Sequence, residues 1–243
     1  MRPLHIIMPM AGEGRRFVQE GWKIPKPLIE LNGKPLFMRA INSVQIDNAL
    51  IRYSFVVRKE HIVKYGIDEK IKFFLPQANI FYVDKSTRGA VETCLVAEEV
   101  IREEESILVM DCDLEFRSNG FLQNIKEILN QPIQIVNGGL LVSFESTDPR
   151  FSYAEVDEND VVIRTAEKEV ISNHALCGAY FFSSANGFLK AAHSLLSESV
   201  FSKPEYYVSL LYNYLLANGE TVELETMEKY YSYGTPEELK RYL

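Results

Sequence analysis

The sequence predicts an α/β fold, a mainly parallel central sheet flanked by helices with a small antiparallel hairpin extension. Three observations predict it. Through the first half, short apolar runs of strand length alternate with stretches whose apolar residues recur at helical spacing, the order that builds a parallel sheet covered on both faces. In the second half, residues 153–157 and 161–165 bracket the turn Glu158-Asn159-Asp160 and should pair as an antiparallel hairpin. Glycine-rich and acidic clusters fall directly after strand candidates, and ligands of such sheets sit at the carboxyl ends of the strands.

Residues 4–8 form an apolar run suited to a buried strand. It breaks into Pro9-Met10-Ala11-Gly12-Glu13-Gly14-Arg15-Arg16-Phe17, followed by Lys23-Ile24-Pro25-Lys26-Pro27-Leu28. Residues 27–31 and 34–37 flank Asn32-Gly33, a dipeptide favoured in tight turns. Residues 35–47 carry Leu36, Met38, Ile41 and Val44 at helical spacing, and 53–57 make a second strand. Residues 59–74 read as helical with an interruption at Gly66, 79–83 as a third strand, and 89–102 as a helix. Residues 106–110 are a very apolar fourth strand ending in Asp111-Cys112-Asp113. Beyond it lie strands at 138–144 and 175–182, helices at 184–196 and 205–217, and a strand at 221–225. The last helix starts at Thr235-Pro236-Glu237-Glu238, with threonine at the N-cap, proline at the first helical position and glutamate three after the cap, and should run to Leu243.

The 243 residues allow an ample core, and no repeat, low-complexity tract or linker divides them. Residues 1–243 therefore read as one domain in two halves, 1–115 and 116–243. A net charge of −8 argues against nucleic acid or an anionic membrane as partner. Its distribution says more: residues 1–40 carry seven Lys/Arg against three Asp/Glu, so positive charge is concentrated around the glycine loop. That suits a small anionic ligand. Cys94, Cys112 and Cys177 show no CxxC or Cys/His metal spacing and read as reduced core residues of a cytoplasmic protein. The N-terminal apolar run is short and holds Pro9, unlike a signal peptide, and no segment approaches the length of a membrane span. His5, His61, His174 and His193 show no pairing that supports a dyad or metal cluster.

Glycines let backbone N–H groups approach a phosphate, and successive N–H groups in such a turn make an anion-binding nest. Arg15 and Arg16 can fork onto phosphate oxygens. Ile24 and Lys26 each precede a proline and are pushed towards extended backbone, which holds Lys26 out as a fixed cation. A bare Gly-x-Gly is common in turns, and the third glycine of the dinucleotide fingerprint and the Gly-Lys-Ser/Thr ending of a P-loop are missing. The strand-to-loop position and the density of cations favour a polyphosphate over a solvated surface turn. Asp111 and Asp113, two residues apart, share one face and can hold Mg²⁺ together with substrate phosphates and water; the plain alternative is a solvated acidic loop or a helix cap. Asp84 could accept from a base amino group, as a carboxylate reads cytosine N4, or simply serve the turn. Lys168, after Glu167, is a second basic candidate whose ordinary fate is an exposed ion pair. Metal, phosphate loop and fixed lysine together suggest attack on a nucleoside triphosphate. If the nucleophile is itself a phosphate, like charges roughly 4 Å apart cost about 4 kcal/mol at an effective dielectric near 20, so cations along the path outweigh any acid or base.

These residues together resemble the nucleotidyltransferase family that includes sugar-phosphate nucleotidylyltransferases and bacterial cytidylyltransferases. The likeness runs through the glycine loop, Pro25-Lys26-Pro27-Leu28-Ile29, Gly89-Ala90-Val91-Glu92-Thr93, Asp111-Cys112-Asp113 and Ser152-Tyr153-Ala154. It continues in Glu167-Lys168, Cys177-Gly178-Ala179-Tyr180 and Gly234-Thr235-Pro236-Glu237-Glu238-Leu239. The subgroup is similar to the one found with capsule and surface-polysaccharide biosynthesis, which includes the CTP:phosphoglutamine cytidylyltransferase type. The resemblance implies a Rossmann-like nucleotidyltransferase fold, with residues 1–115 binding nucleotide and 116–243 binding acceptor. It implies Mg²⁺-dependent transfer of NMP from an NTP such as CTP to a phosphorylated small-molecule acceptor, with pyrophosphate released. By matching positions, Met10, Ala11, Gly12, Gly14, Arg15, Asp84, Thr87, Gly89 and Ala90 would bind the nucleotide, Arg16, Lys26 and Lys168 would act on the reacting phosphates, and Asp113 with Asp111 would hold the metal. Lys168, Gly178 and Tyr153 would meet the acceptor.

Two positions depart from the family pattern. Arg15 stands where threonine or serine is usual, and Ser232 stands where sugar-type members carry a second metal aspartate, which weakens the case for an ordinary sugar-phosphate acceptor. Competing readings are a sugar-1-phosphate nucleotidylyltransferase using UTP or dTTP, an Asp-x-Asp glycosyltransferase, which leaves Arg15, Arg16 and Lys26 without a role, and a non-catalytic nucleotide-binding regulator. A nicotinamide dehydrogenase is disfavoured, because the second strand ends in Val57-Arg58-Lys59 with no acid for a ribose. The oligomeric state stays open: Tyr206, Tyr207, Tyr212 and Tyr214 could line an acceptor pocket, a homo-oligomer contact or, for most of these rings, the core.

Overall fold

The computed structural model describes residues 1–135, 138–198 and 205–243. Its strands run as β1 (Leu4–Met10), the two-residue pair β2 (Glu30–Leu31) and β3 (Lys34–Pro35), β4 (Ile51–Arg58), β5 (Asn79–Val83), β6 (Ser106–Met110) and β7 (Leu114–Arg117). They continue as β8 (Gly139–Glu145), β9 (Ser152–Val156), β10 (Val162–Glu167), β11 (His174–Phe182), β12 (Val222–Thr226) and β13 (Lys229–Ser232). β5, β4, β1 and β6 lie side by side and parallel, with Leu4 opposite Ile51 and Ser106. β11 then pairs antiparallel with β6, and β8 and β12 follow beyond it. β9 and β10 form the expected antiparallel hairpin on the same sheet. The sheet therefore crosses the boundary between the two halves through the β6–β11 ladder.

Alternation along the buried strands divides the core between the two faces. Ile6, Met8, Leu108 and Met110 pack with Phe37, Phe55 and Phe121, whereas Ile7, Ile107 and Val109 pack on the other face with Val91, Phe188 and Tyr212. At the amino ends of the central strands a buried polar cluster ties three of them together. His5 bonds Glu105 Oε2 at 3.0 Å and Ser54 Oγ at 2.8 Å, and Arg52 pairs with the same Glu105. Among the described residues no helix is long and apolar enough to cross a membrane. The three cysteines are buried free thiols.

Several elements differ from expectation. Arg15 and Arg16 open a short helix, Arg15–Gln19, instead of continuing the loop, because Gly14 in the left-handed region (φ 61°) turns the chain into it. Lys26 is the first residue of a 3₁₀ turn, Lys26–Leu28, and not extended: the bonds Leu28 N–H to Pro25 O and Ile29 N–H to Lys26 O outweigh the pre-proline preference. The helix expected over 89–102 shortens to Ala90–Leu95 plus a 3₁₀ turn, Glu98–Val100. That over 205–217 begins only at Val208, since the backbone of Tyr206 exchanges hydrogen bonds with Arg88 O and Val91 N–H. The last helix is Pro236–Lys240, opened by the predicted capping box. Periodicity revealed neither β7 and β13 nor the helix Asn119–Asn130. The antiparallel β7–β13 pair brings the end of the chain to the sheet's carboxyl edge, where Tyr233 N–H donates to Asp113 O at 2.8 Å.

Candidate active site

Two cavities open at the carboxyl ends of the central strands. The first, of about 610 Å³, is walled by the glycine loop from Pro9 to Arg15 and by the turn from Ser86 to Ala90. The second, of about 520 Å³, is lined by Arg16 from the first half of the chain and by Arg150, Ser152, Tyr180, Tyr207 and Glu238 from the second. They share Gly14, Arg15, Lys26, Asp111, Asp113 and Glu205, so one charged partition stands between two binding spaces.

Backbone geometry explains two of the glycines. At Gly89 (φ 151°) an added Cβ would lie 2.4 Å from Tyr206 N, so any side chain would push the 86–90 turn off the segment beneath it. At Gly178 (φ 96°) it would lie 2.5 Å from Asp111 Oδ2, so this glycine makes room for the carboxylate on the neighbouring strand.

The partition itself is a short charged chain. Lys26 Nζ donates to Asp113 Oδ2 at 2.6 Å, both side chains being largely shielded from solvent. Burial works against the lysine's charge, but Asp113, Cys112 and Asp111 outweigh it and its pKa rises. Asp111 is pushed up to about 7, by burial first and by the adjacent Asp113 second, against the pull of Lys26. Two carboxyl groups compete here for one ammonium, which leaves the pair short of positive charge.

The family profile of nucleotidyl transferases matches residues 5–224. The chain belongs to this family. Among curated proteins, none matches this nucleotidyl transferase significantly. Solved structures do: the nucleoside-diphosphate-sugar pyrophosphorylase from Vibrio cholerae RC9 is 26% identical at a TM-score of 0.82, covering 98% of this chain and 99% of that one. The inositol-1-phosphate CTP transferase from T. maritima is 17% identical at a TM-score of 0.71, with 100% and 94% covered. A UDP-glucose pyrophosphorylase complexed with UDP-glucose is 18% identical at 0.72, with 97% and 95% covered. At these last identities the likeness speaks for the fold.

In this nucleotidyl transferase the first cavity collects Met10, Ala11, Gly12, Gly14, Arg15, Thr87, Gly89, Ala90 and the two aspartates. Arg15 is exposed and tied to Glu13 Oε2, while Arg16 lines only the second cavity. Thr87 Oγ1 sits 2.6 Å from Thr93 Oγ1, fixing the turn. Three expected residues stand elsewhere. Asp84 is exposed, lines neither cavity and pairs with Lys59 Nζ at 3.1 Å, because the strand end Arg58-Lys59 captures the turn from below. Tyr153 is fully buried and donates to Asp148 O at 2.7 Å; its alternation on β9 turns the ring into the core and Ser152 into the cavity. Lys168 is exposed and lines neither cavity; its Nζ donates at 2.6 Å to the Oη of Tyr207, a ring that lines the second.

Sequence reasoning missed Arg150 and gave Glu238 only a capping role. The buried Glu238 carboxylate accepts from Ser232 Oγ at 2.9 Å and Thr235 N–H at 3.0 Å, and it pairs with Arg150. Asp148 Oδ2 holds Arg150 Nε at 3.0 Å, and the guanidinium lies 4.4 Å from the Phe151 ring centroid. The turn signal Asp148-Pro149 marks this loop, but nothing in local spacing links it to a helix at the chain's end.

The donor set fits Mg²⁺ in one respect. Among the described residues no trio of His, Cys, Asp or Glu could hold a metal, but Asp111 and Asp113 supply the carboxylate pair that Mg²⁺ uses when phosphates and water complete its shell.

Proposed function

We propose that this chain transfers a nucleotidyl group, CMP from CTP in the first instance, to the phosphate of a small acceptor and releases pyrophosphate. The observation that carries the reading is the Lys26–Asp113 pair standing in the shared wall of two cavities. A triphosphate in the first cavity would meet the glycine-loop N–H groups and Lys26; an acceptor phosphate in the second would meet Arg16 and Lys26. An acceptor oxygen attacks the α-phosphorus, the bond to the bridging oxygen of the β-phosphate breaks, and pyrophosphate carries that electron pair away. Bringing two anions together is the main barrier, so aligned cations and orientation supply most of the acceleration. Mg²⁺, held by Asp113 and Asp111, would add Lewis-acid neutralisation of the triphosphate.

The sequence ground for CTP, a pairing of Asp84 with cytosine, falls away because Asp84 is held by Lys59 outside both cavities, and the preference rests on the resemblance to cytidylyltransferases. Phosphoglutamine, in cytoplasmic synthesis of a capsule or surface-polysaccharide precursor, is the specific acceptor we put forward. A second reading, a sugar-1-phosphate nucleotidylyltransferase using UTP or dTTP, draws support from the sugar-nucleotide pyrophosphorylases among the structural neighbours. The test is pyrophosphate release from each of the four NTPs against phosphorylated sugars, amino acids, choline and alditols with Mg²⁺. The proposal expects turnover with CTP and phosphoglutamine. Turnover confined to UTP or dTTP with a sugar 1-phosphate selects the second reading, and tight NTP binding with no product across the panel makes the protein a regulator.

A further inference from the structure

Lys26 does two things at once in this structure: it lines the first cavity, where phosphates would lie, and it occupies an oxygen of Asp113. The pair is short, at 2.6 Å, and shielded, with side-chain exposures of 24% and 17%. A divalent cation that takes this oxygen must displace an ammonium already in contact, and one that takes the other oxygen would sit beside it. Either way the ammonium and a doubly charged neighbour meet in a partly desolvated space where such repulsion is poorly screened. A triphosphate changes this balance, because its oxygens offer Lys26 a second anionic partner within the cavity the lysine already lines.

From this we propose that Lys26 is a placeholder cation, which blocks Asp113 in the nucleotide-free protein and yields it when a triphosphate draws the ammonium away. The inference rests on the reading of Asp113 as a metal ligand and goes beyond it, since it sets an order of assembly. Metal and nucleotide then bind with positive coupling, and by linkage each strengthens the other by the same factor.

The test is Mn²⁺ binding, followed by the electron paramagnetic resonance signal of free Mn²⁺, with and without a non-hydrolysable CTP analogue; Mn²⁺ accepts the same oxygen ligands. Without nucleotide, Lys26→Gln should bind Mn²⁺ about tenfold or more tighter than wild type, and the coupling between Mn²⁺ and analogue should shrink correspondingly. Arg16→Gln removes the same charge from the adjoining cavity without touching Asp113 and should change Mn²⁺ affinity less than about twofold. Equal affinity for wild type and Lys26→Gln, or equal gains in the Lys26 and Arg16 variants, overturns the placeholder role. Asp113→Asn separates the two claims. If it loses Mn²⁺ binding while Lys26→Gln gains nothing, only the placeholder falls; if it keeps Mn²⁺ binding both with and without the analogue, the metal reading falls and takes the inference with it. Thermal melts of all three variants confirm that folded protein is being compared.

Discussion

The two ends of the central strands hold opposite kinds of charge cluster, one buried and one half-buried. At the amino end Glu105 takes hydrogen bonds from His5, Arg52 and the Arg102 N–H. Burial alone would raise its pKa, but these donors hold it below its ordinary value. At the carboxyl end Asp111 and Asp113 share one lysine, and burial with the neighbouring carboxylate pushes Asp111 the other way, up to about 7. The same strands thus carry one charge cluster that is complete and one that is short of cations. The complete cluster lies within the sheet, and the other lines two cavities. Burial is costly for a charge without partners, and the carboxyl-end aspartates, half-buried in the walls of two cavities, have one lysine within contact where Glu105 has three donors.

The contrast predicts where each substitution is felt. Glu105→Ala should cost about 3–5 kcal/mol of stability by leaving Arg52 and His5 without their carboxylate, while turnover per folded molecule, read by pyrophosphate release, stays unchanged. Lys26→Ala should do the reverse, lowering turnover by about 10²–10³-fold with a thermal midpoint close to wild type. Equal losses of both quantities in either variant would erase the distinction between the two ends.

Acid sharpens it further. A carboxylate whose folded pKa is depressed contributes stability above its unfolded value and loses it as pH falls through the folded one. Urea midpoints of wild type should therefore fall below about pH 4.5, Glu105's ordinary value, more steeply than those of Glu105→Ala. Identical slopes would remove Glu105 as a source of acid sensitivity.

On the acceptor side Arg150→Gln should raise the acceptor KM about tenfold, roughly 1.4 kcal/mol, and leave the NTP KM alone. The smallest effect belongs to Asp84→Asn: its carboxylate is engaged by Lys59 outside both cavities, so the CTP-to-UTP preference should move less than about twofold. A larger change would bring Asp84 back as a base-reading group.

Much of the first cavity was legible in the sequence because backbone lines it. Gly12, Gly14 and Gly89 mark the loop and turn whose main chain walls this cavity, and the apolar runs before them mark the strand ends that place them. Asp111-Cys112-Asp113 was legible for the same reason, since spacing by two on a strand end is a local property. Asp84 and Tyr153 misled because strand alternation and a neighbouring cation decide where a side chain goes, and neither is visible from the residue's own type. The second cavity was legible only in part: Arg16, Gly178 and Ser232 stood out, but Arg150 lies in one segment and Ser232 with Glu238 in another, and they meet only after the β7–β13 pair folds the later segment back.

By itself the sequence determined the layered sheet, the glycine loop and the acidic strand end, since each follows from periodicity or from residues close together along the chain. Tertiary structure alone decided that Lys26 rests on Asp113, that Asp84 is held by Lys59, and that Arg150 is held against Glu238. Those pairings span tens of residues, and side-chain charges choose among partners only after backbone hydrogen bonding and apolar burial have set which of them are within reach.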